Sequence, residues 1–418
     1  MVRVVNFAVR YSANVGDGLI AECLSHAMTR LAPGLEMVSV DLAGRSRYGE
    51  TTVRGRGWKL RVLNALPGPL RARAVELVLG RFLERATPGW RAALEGADLA
   101  VFGGGQIFSD ADLNFPLKIA RAAELSAAAG VPTAVFAAGV ARNWSPRGAA
   151  LFGRMLEGRL CHVALRDGFS REAWVAQTGG AGPQAQLCRD PGLLAAACYG
   201  RPEAGPEHGT EPGPVGICIT DPALLAYHSD MAVAGGGRAD AFLAATALAL
   251  VARGQRVRLF CNGAAEDRAT LARLAAHPEI AARASEGWLD VAPPPETPTA
   301  LARTIAPLRA VLAHRLHATI VAHAYGIPAV GLSWDRKLVS FFASVGREAY
   351  AVQETGGGTG PQDLADLVLR AIAEGIDPQA HAAHLAETWE GVAALLAAAG
   401  LAGQPGRPEL RVVSGGGA

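Results

Sequence analysis

Short apolar runs alternate along this chain with segments whose apolar positions recur at helical spacing. Each run is bounded by turn-forming residues, which favours a buried strand over part of a helix. In the first half, the predicted strands cover residues 2–9, 36–41, 98–102, 133–138, 163–166 and 185–188. The predicted helices between them cover residues 19–31, 115–129, 147–156 and 170–177. Strands separated by helices of this length predict βαβ units and therefore a parallel sheet.

This alternation stops at residues 201–214, where proline, glycine and polar residues leave no apolar periodicity and indicate a linker. It then restarts, with predicted strands at residues 215–220, 256–260, 288–291, 310–313 and 329–333. Further predicted helices cover residues 239–252, 266–277, 297–305, 361–373 and 378–399. We therefore predict an α/β fold with two Rossmann-like domains and parallel sheets, at residues 1–200 and 215–402, with a cleft between them. The Gly/Pro-rich residues 403–418 are expected to be a disordered tail.

Composition narrows the class of protein without identifying it. A length of 418 residues exceeds one ordinary core, and 50% hydrophobic with 19% charged residues indicates a globular protein. A net charge of +2 argues against a nucleic-acid partner. The six cysteines form no CxxC pair, and the N-terminus lacks the apolar segment of a signal peptide, so a cytoplasmic location is the expectation. Nothing in the sequence indicates an oligomeric state.

Two neighbouring strands of the second half deliver basic residues to one edge of the predicted sheet. Arg315 and His317 follow the strand at residues 310–313, and Asp335 and Lys337 follow the strand at residues 329–333. Ligands of open α/β sheets bind outside the carboxyl ends of the strands, where helix N-termini favour anions. The pattern predicts a site for an anionic substrate beside a titratable group. Against this, a single histidine at a helix start is usually an ordinary packed residue.

Glycine-containing turns mark the corresponding edge of the first sheet. Asn14 and Asp17 lie between the first strand and the first helix, where Asp17 either caps the helix or contacts an acceptor across the cleft. A triglycine follows the strand at residues 98–102, and its backbone N–H groups allow a ligand or the other domain to approach closely. It matches neither a dinucleotide fingerprint nor a P-loop. The triglycine comprises Gly103, Gly104 and Gly105.

Two further strand ends carry charged residues for which a structural role is the simpler interpretation. Asp167 is expected either to pair with Arg166 or to hold a nearby loop, and Ser170 is the predicted cap of the next helix. Asp190 is expected to face the cleft, before a proline that ends the strand. A metal site is disfavoured, because the histidines nearest to His317 do not have the spacing of two ligands on one helix.

Residues 54–85 form an insertion in which basic residues are interleaved with apolar ones. A solvated helical face is the simpler interpretation, and a surface that touches anionic lipid or a lipid-linked acceptor is the alternative. The basic residues are Arg54, Arg56, Lys59, Arg61, Arg71, Arg73, Arg81 and Arg85.

Taken in order, the motifs resemble those of the polysaccharide pyruvyl transferase family over about residues 10 to 346. They are Asn14-x-Gly16-Asp17, Gly103-Gly104-Gly105, Arg166-Asp167-x-x-Ser170, Asp190-Pro191, Arg315-Leu316-His317-Ala318, Gly326-Ile327-Pro328 and Ser333-Trp334-Asp335-x-Lys337. The resemblance implies a GT-B-like fold and transfer of pyruvate from phosphoenolpyruvate to a sugar of a glycan or lipid-linked precursor, as a ketal. It implies no cofactor besides the donor. One departure is Thr220, which stands where the family often has an arginine; Arg238 is a candidate substitute.

The resemblance also suggests roles for the candidate residues. Arg315 and Lys337 would bind the donor, His317 as imidazolium would protonate its methylene carbon, and Asp17 or Asp190 would accept the hydroxyl proton. The remaining expected substrate contacts are Asn14, Gly103, Gly104, Gly105, Arg166 and Asp335. Two alternatives stay open: a GT-B glycosyltransferase that uses a nucleotide sugar, and a non-catalytic family member that binds an anionic metabolite.

Overall fold

The structure is a computed structural model that describes residues 1–50, 68–201, 212–222, 236–353 and 359–402. Six parallel strands form the first sheet, in the order β2-β1-β3-β4-β5-β6. They are β1 (Arg3–Ala8), β2 (Glu36–Asp41), β3 (Leu99–Gly103), β4 (Thr133–Ala138), β5 (Leu160–Leu165) and β6 (Gln186–Leu187). Its helices are α1 (Val15–Leu31), α2 (Gly68–Leu94), α3 (Asn114–Ala128), α4 (Pro146–Gly153), α5 (Gly168–Thr178) and, after a 3-10 turn at Pro191–Leu194, α6 (Ala195–Tyr199).

A second sheet of six parallel strands has the order β12-β11-β10-β7-β8-β9. Its strands are β7 (Val215–Ile219), β8 (Val257–Cys261), β9 (Leu289–Val291), β10 (Ala310–Ala313), β11 (Ala329–Ser333) and β12 (Ala351–Gln353). Its helices are α7 (Gly236–Ala252), α8 (Ala265–Ala275), α9 (Pro278–Ser285), α10 (Pro298–Ile305), α11 (Leu316–Ala324), α12 (Arg336–Ser344), α13 (Pro361–Glu374) and α14 (Pro378–Ala398). The predicted fold of two Rossmann-like domains is confirmed.

The central strands are buried on both faces because helices cover each sheet on two sides. Strands β3 and β4 of the first sheet and β7, β10 and β11 of the second contain only buried residues. This burial explains why the strands read as continuous apolar runs rather than as alternating patterns.

The two halves share contacts that place their strand ends opposite each other. The N–H of Val15, at the start of α1, donates to the carbonyl of Asn262, in the loop after β8, at 3.0 Å. Helix α14 returns to the first half and packs against α1 and β5. One cluster of buried apolar side chains includes residues of both halves, such as Leu19 and Ile320.

Some predicted segments lie partly outside the described residues. Three such segments are residues 202–211 of the predicted linker, residues 54–67 of the basic insertion and the tail at residues 403–418. What was predicted for them stays a prediction. The described end of the basic insertion is the first part of α2. Within the described part of the chain, no helix combines the length and apolarity required to cross a bilayer.

Candidate active site

A cleft of about 300 Å³ lies between the two halves, at the carboxyl ends of their strands. It brings together eight of the eleven residues that the sequence singled out. Those from the first half are Asn14, Asp17, Gly105 and Arg166, and those from the second half are Arg315, His317, Asp335 and Lys337. Gln106, Ser109, Phe115 and Trp334 complete much of the wall. The cleft therefore combines three basic side chains with a histidine and two carboxylates.

His317 lies in the first turn of α11 and is held against the first half of the molecule. Its ring packs on the backbone of Gly16, where an added Cβ would lie 2.5 Å from the His317 Nδ1 atom. The same Nδ1 atom is 3.7 Å from Asp17 Oδ1. Burial lowers the pKa of His317 to about 4, although the nearby Asp190 carboxylate acts in the opposite direction. In the ligand-free protein the imidazole is therefore neutral near pH 7.

One interpretation of the sequence made Asp17 the cap of the first helix, and this was wrong. The N-cap is Asn14, whose side-chain oxygen accepts a hydrogen bond from the Gly16 N–H at 3.3 Å. Asp17 follows in the first turn, so α1 begins four residues earlier than predicted. Burial raises the pKa of Asp17, and this effect is opposed by a hydrogen bond from Ser12 and by the charges of Arg315, Arg45 and Lys337. The Asp17 carboxylate is thus free of a capping role and lies in the cleft.

Asp190 lies beside the cleft rather than on its wall. It caps the 3-10 turn, since its Oδ1 accepts from the Gly192 N–H at 2.9 Å. Its Oδ2 is buried and has no hydrogen-bond partner among the described residues. It borders a gap of about 20 Å³ whose wall also includes Arg166 and Lys337. Burial raises the pKa of Asp190, and the nearby His317 is the main opposing influence.

Arg315 is oriented by a carboxylate that the sequence analysis missed. Its Nε and Nη2 atoms donate to both oxygens of Asp267, with the shortest contact at 2.7 Å. Asp267 is fully buried and also accepts from the Asp221 N–H at 2.9 Å. It lies in the first turn of α8, after β8, at the same sheet edge as Arg315. Asp267 could have been found from the sequence because it follows a predicted strand. The same signal identified Arg315 and His317.

Lys337 and Asp335 belong to the start of α12. Asp335 caps this helix by accepting from the Leu338 N–H at 3.3 Å, and its Oδ2 is 2.9 Å from the ammonium of Lys337. The Lys337 ammonium also lies 5.3 Å from the centroid of the Trp334 ring. Asp335 thus positions the lysine and the helix together.

Arg166 pairs with Asp167, which was one of the two roles expected for this carboxylate, with 3.3 Å between Nε and Oδ2. Its Nη2 packs on Gly139, is buried and has no hydrogen-bond partner among the described residues. The predicted cap at Ser170 was wrong, because Asp167 caps α5 by accepting from the Ser170 N–H at 2.7 Å. The Ser170 hydroxyl instead accepts from the Val140 N–H at 3.1 Å. Asp167 therefore orients both a helix and a cleft arginine.

The three glycines have separate structural roles. A Cβ at Gly103 would lie 2.1 Å from the carbonyl oxygen of Phe136, on the neighbouring strand. Gly104 and Gly105 have φ values of 77° and 73°, which side-chain-bearing residues rarely adopt. Of the three, only Gly105 lines the cleft. A Cβ added to it would lie 3.4 Å from Asp17 Oδ1. Gly103 and Gly104 are thus placed behind the cleft wall.

Thr220 is buried directly after β7, and its hydroxyl has no hydrogen-bond partner among the described residues. The side chain of Arg238, the suggested substitute for an arginine there, lies outside the described residues.

His323 is turned away from the cleft, with its Nε2 3.1 Å from His384 Nδ1 on α14. Within the described ranges, no group of three or more potential ligands could hold a metal ion.

Comparison with known proteins identifies the family. The family model for polysaccharide pyruvyl transferase matches residues 14–336. The chain belongs to this family. Family membership makes it a transferase of polysaccharide biosynthesis. The match spans both halves of the cleft, from Asn14 to Arg336, and no curated protein matches the chain in sequence.

Solved structures confirm the GT-B-like arrangement of this family member. The structure of S. aureus MnaA with UDP is similar at a TM-score of 0.51 and 11% identity, over 97% of this chain and 99% of that one. A Listeria monocytogenes protein assigned as a UDP-N-acetylglucosamine 2-epimerase is similar at a TM-score of 0.52 and 12% identity, over 95% of each chain. At such low identity these similarities concern the fold alone.

Proposed function

We propose that this polysaccharide pyruvyl transferase moves the pyruvyl group of phosphoenolpyruvate onto two hydroxyls of a glycan sugar and forms a pyruvate ketal. The observation that carries the proposal is the convergence of Arg166, Arg315, Lys337 and His317 in one interdomain cleft. Phosphoenolpyruvate carries a phosphate and a carboxylate, so it requires several cations and a proton donor at one place. No metal or organic cofactor is part of the proposal.

The donor would be held by basic groups that other residues keep in position. Arg315 uses Nε and Nη2 to bind Asp267, which leaves its Nη1 atom to bind an anion. Lys337 is held by Asp335, and Arg166 by Asp167. The three carboxylates equal the three cations in number, so the donor would be bound by the N–H groups that these pairs leave unused. Fixed donors of this kind favour binding because little side-chain freedom is lost.

His317 would supply the proton that starts the reaction. Its pKa of about 4 makes it neutral in the free protein, and the negative charge of bound phosphoenolpyruvate favours the imidazolium. The imidazolium donates its proton to the methylene carbon, which becomes a methyl group. The positive charge then lies on C2. A sugar hydroxyl adds to C2 and loses its proton. The C2–O bond to phosphate then breaks, phosphate leaves, and a second hydroxyl adds to C2 with loss of its proton.

Two carboxylates are suited to accept the hydroxyl protons. Asp17 lies in the cleft near His317, and Asp190 has a buried Oδ2 with no partner among the described residues. Burial raises the pKa of both groups, which strengthens each as a base. Asp17→Asn and Asp190→Asn separate the two candidates, because the variant that loses more turnover with unchanged donor affinity identifies the base.

Helix α2 supports contact with a membrane that carries a lipid-linked acceptor. Leu77 and Val78 are 58% and 60% exposed, and Arg81 and Arg85 are exposed on the same helix. Exposed apolar and basic side chains together favour the surface of an anionic bilayer. Sedimentation with vesicles of anionic and of neutral lipid tests this, since binding equal to both, or to neither, contradicts it.

The activity is tested with purified protein, phosphoenolpyruvate and a panel of glycans. Phosphate release that depends on the glycan, together with addition of a pyruvyl ketal to the product, is the expected result. Lack of phosphate release with every glycan, combined with binding of a UDP-sugar, would instead indicate the glycosyltransferase alternative. That alternative draws on the fold similarity to a UDP-bound structure.

A further inference from the structure

A second interdomain cavity, of about 590 Å³, lies on the other side of Arg166 from the cleft. We name it the α14 groove, because its outer wall is the helix that returns from the second half to the first. Glu387, Glu390 and Ala394 of α14 form this wall. His162 of β5 and Gln186 of β6 form part of the opposite wall. The volume lies within the about 300–1,000 Å³ that is typical of ligand sites.

The α14 groove reaches the cleft through the small gap that Asp190 borders. The groove and the gap share Arg166, Asp167, Arg189 and Ser344 in their walls. The gap and the cleft share Arg166, Leu316 and Lys337. At about 20 Å³, the gap has room for about one water molecule or one hydroxyl group. A saccharide chain that occupies both the groove and the cleft would therefore cross the gap at a single glycosidic oxygen, beside Asp190.

The charges in the groove wall are largely paired with each other. Arg166 is held by Asp167, and Arg189 is held by Glu387 at 2.7 Å. Glu390 adds a further carboxylate, so an anionic ligand would face three acids against two arginines. Burial lowers the pKa of His162, which keeps its ring neutral at neutral pH. This arrangement disfavours a phosphate as the ligand.

A neutral ligand rich in hydroxyls fits these groups better than an apolar or a charged one. Each hydroxyl both donates and accepts, so it can donate to Glu387 or Glu390 and accept from Arg189. An apolar ligand would cover the same charged groups without replacing their hydrogen bonds to water, at a cost in free energy. Sugars are the hydroxyl-rich ligands that the proposed reaction already requires.

We propose that the α14 groove binds the saccharide chain of the acceptor beyond the sugar unit that is modified. This inference rests on the proposed function, since it extends the acceptor from the reacting sugar to its neighbours. The rival route leaves the cleft past Ala111, an exposed residue on the cleft wall in the loop between β3 and α3.

Three tryptophan variants distinguish the two routes. Ala394→Trp fills the α14 groove, Ala111→Trp blocks the rival route, and Ala397→Trp is the matched control on an exposed position of α14 outside the groove wall. The acceptors are methyl glycosides of glucose, galactose, mannose and N-acetylglucosamine, and trisaccharides of the same sugars. Unfolding midpoints show which variants are folded. Ala394→Trp is expected to raise KM for the trisaccharide at least about tenfold, with unchanged KM for phosphoenolpyruvate and for the methyl glycoside.

Binding of the trisaccharides without donor keeps this test separate from the test of the proposed function. If wild-type protein binds a trisaccharide and transfers nothing to it, the proposed function fails. The proposal that the α14 groove binds the saccharide is still supported in that case if Ala394→Trp, and neither of the other two variants, abolishes the binding. Equal trisaccharide KM and affinity for Ala394→Trp and Ala397→Trp overturns the groove, as does a loss confined to Ala111→Trp. Lack of binding of every trisaccharide to the wild type overturns it too.

Discussion

His317 is placed where burial and ligand charge act on its proton in opposite directions. Burial holds its pKa at about 4 in the free protein, and a bound trianion raises it. We therefore expect binding of phosphoenolpyruvate at pH 8, where the donor phosphate is already ionised, to be accompanied by proton uptake at His317. The affinity should fall as the pH rises between the pKa of the free state and that of the bound state, and become independent of pH above the latter. Calorimetry in two buffers of different ionisation enthalpy measures the uptake, and an equal uptake by His317→Gln would contradict this assignment.

The same residue and its basic neighbour should differ in the kinetic constant that they control. His317→Gln is expected to lower kcat by about 10²–10⁴-fold with much of the donor affinity retained, because its role is proton transfer. Lys337→Ala is expected to raise the Kd of phosphoenolpyruvate, because the lysine supplies charge near its partner Asp335. Stopped-flow binding and steady-state rates separate the two effects. Wild-type turnover of His317→Gln would remove this histidine from the mechanism.

Asp267 is a positioning residue whose effect should be seen in donor binding. Asp267→Asn removes the charge that holds both Nε and Nη2 of Arg315, so we expect KM for phosphoenolpyruvate to rise about tenfold or more. The matched control is Asp290→Asn, since Asp290 makes a similar two-bond pair with Arg258 on the exposed surface. An exposed pair contributes only about 0–1 kcal/mol, so the control should keep its KM. Equal KM in both variants would exclude the positioning role.

Sequence reasoning at this scale succeeded where strand ends determine position and failed where local hydrogen bonds do. Arg315 and His317 could be placed together with Lys337 because parallel strands end at the same sheet edge. Asn14 and Asp167 could not be chosen as caps over Asp17 and Ser170, because these residue types cap helices about equally well. The choice depends on backbone contacts such as the bond from Val140 to Ser170, which join distant parts of the chain.

At the scale of elements, long apolar runs were predictable and short ones were not. Strands β4, β10 and β11 have the predicted bounds, because continuous apolar runs between turn residues define buried strands. Strand β12, of three partly exposed residues, and the short helix α9 carry no comparable pattern and were missed. Helix α1 begins earlier than predicted because its first turn contains two glycines, Gly16 and Gly18, which lower the helix propensity.

Gly16 links an element of the first half to His317, the proposed general acid, in the second. An added Cβ at this position would lie 2.5 Å from His317 Nδ1, so Gly16→Ala should displace the ring and lower kcat/KM at least about tenfold. Gly80→Ala in α2 is the control, because an added Cβ there meets no atom within 4 Å. It should keep its activity and gain about 0.5–1 kcal/mol of stability from helix propensity. Full activity of Gly16→Ala would show that the close packing is not required.

At the scale of the whole molecule, the two halves contribute different residues to the candidate site. The second half supplies Arg315, His317 and Lys337, and the first half supplies Asp17, Arg166 and Asp190. The cleft is complete only when the halves are in contact, and helix α14 maintains this contact by packing on α1 and β5. Sequence alternation predicted the two sheets, but the return of α14 depends on contacts between distant segments and could not be derived from periodicity.

The shared packing has a consequence for how the molecule unfolds. Because one cluster of buried apolar side chains includes residues of both halves, such as Leu19 and Leu395, the halves should unfold in a single transition. Leu395→Ala removes a fully buried side chain of α14, which typically costs about 2–5 kcal/mol. For a chain of this length it should lower the unfolding midpoint by about 2–6 °C without splitting the transition. Ala398→Ser, at an exposed position of the same helix, is the control and should leave the midpoint unchanged. Calorimetry measures the unfolding midpoints and the number of transitions. Two separated transitions in the wild type would show that the halves unfold independently despite their common core.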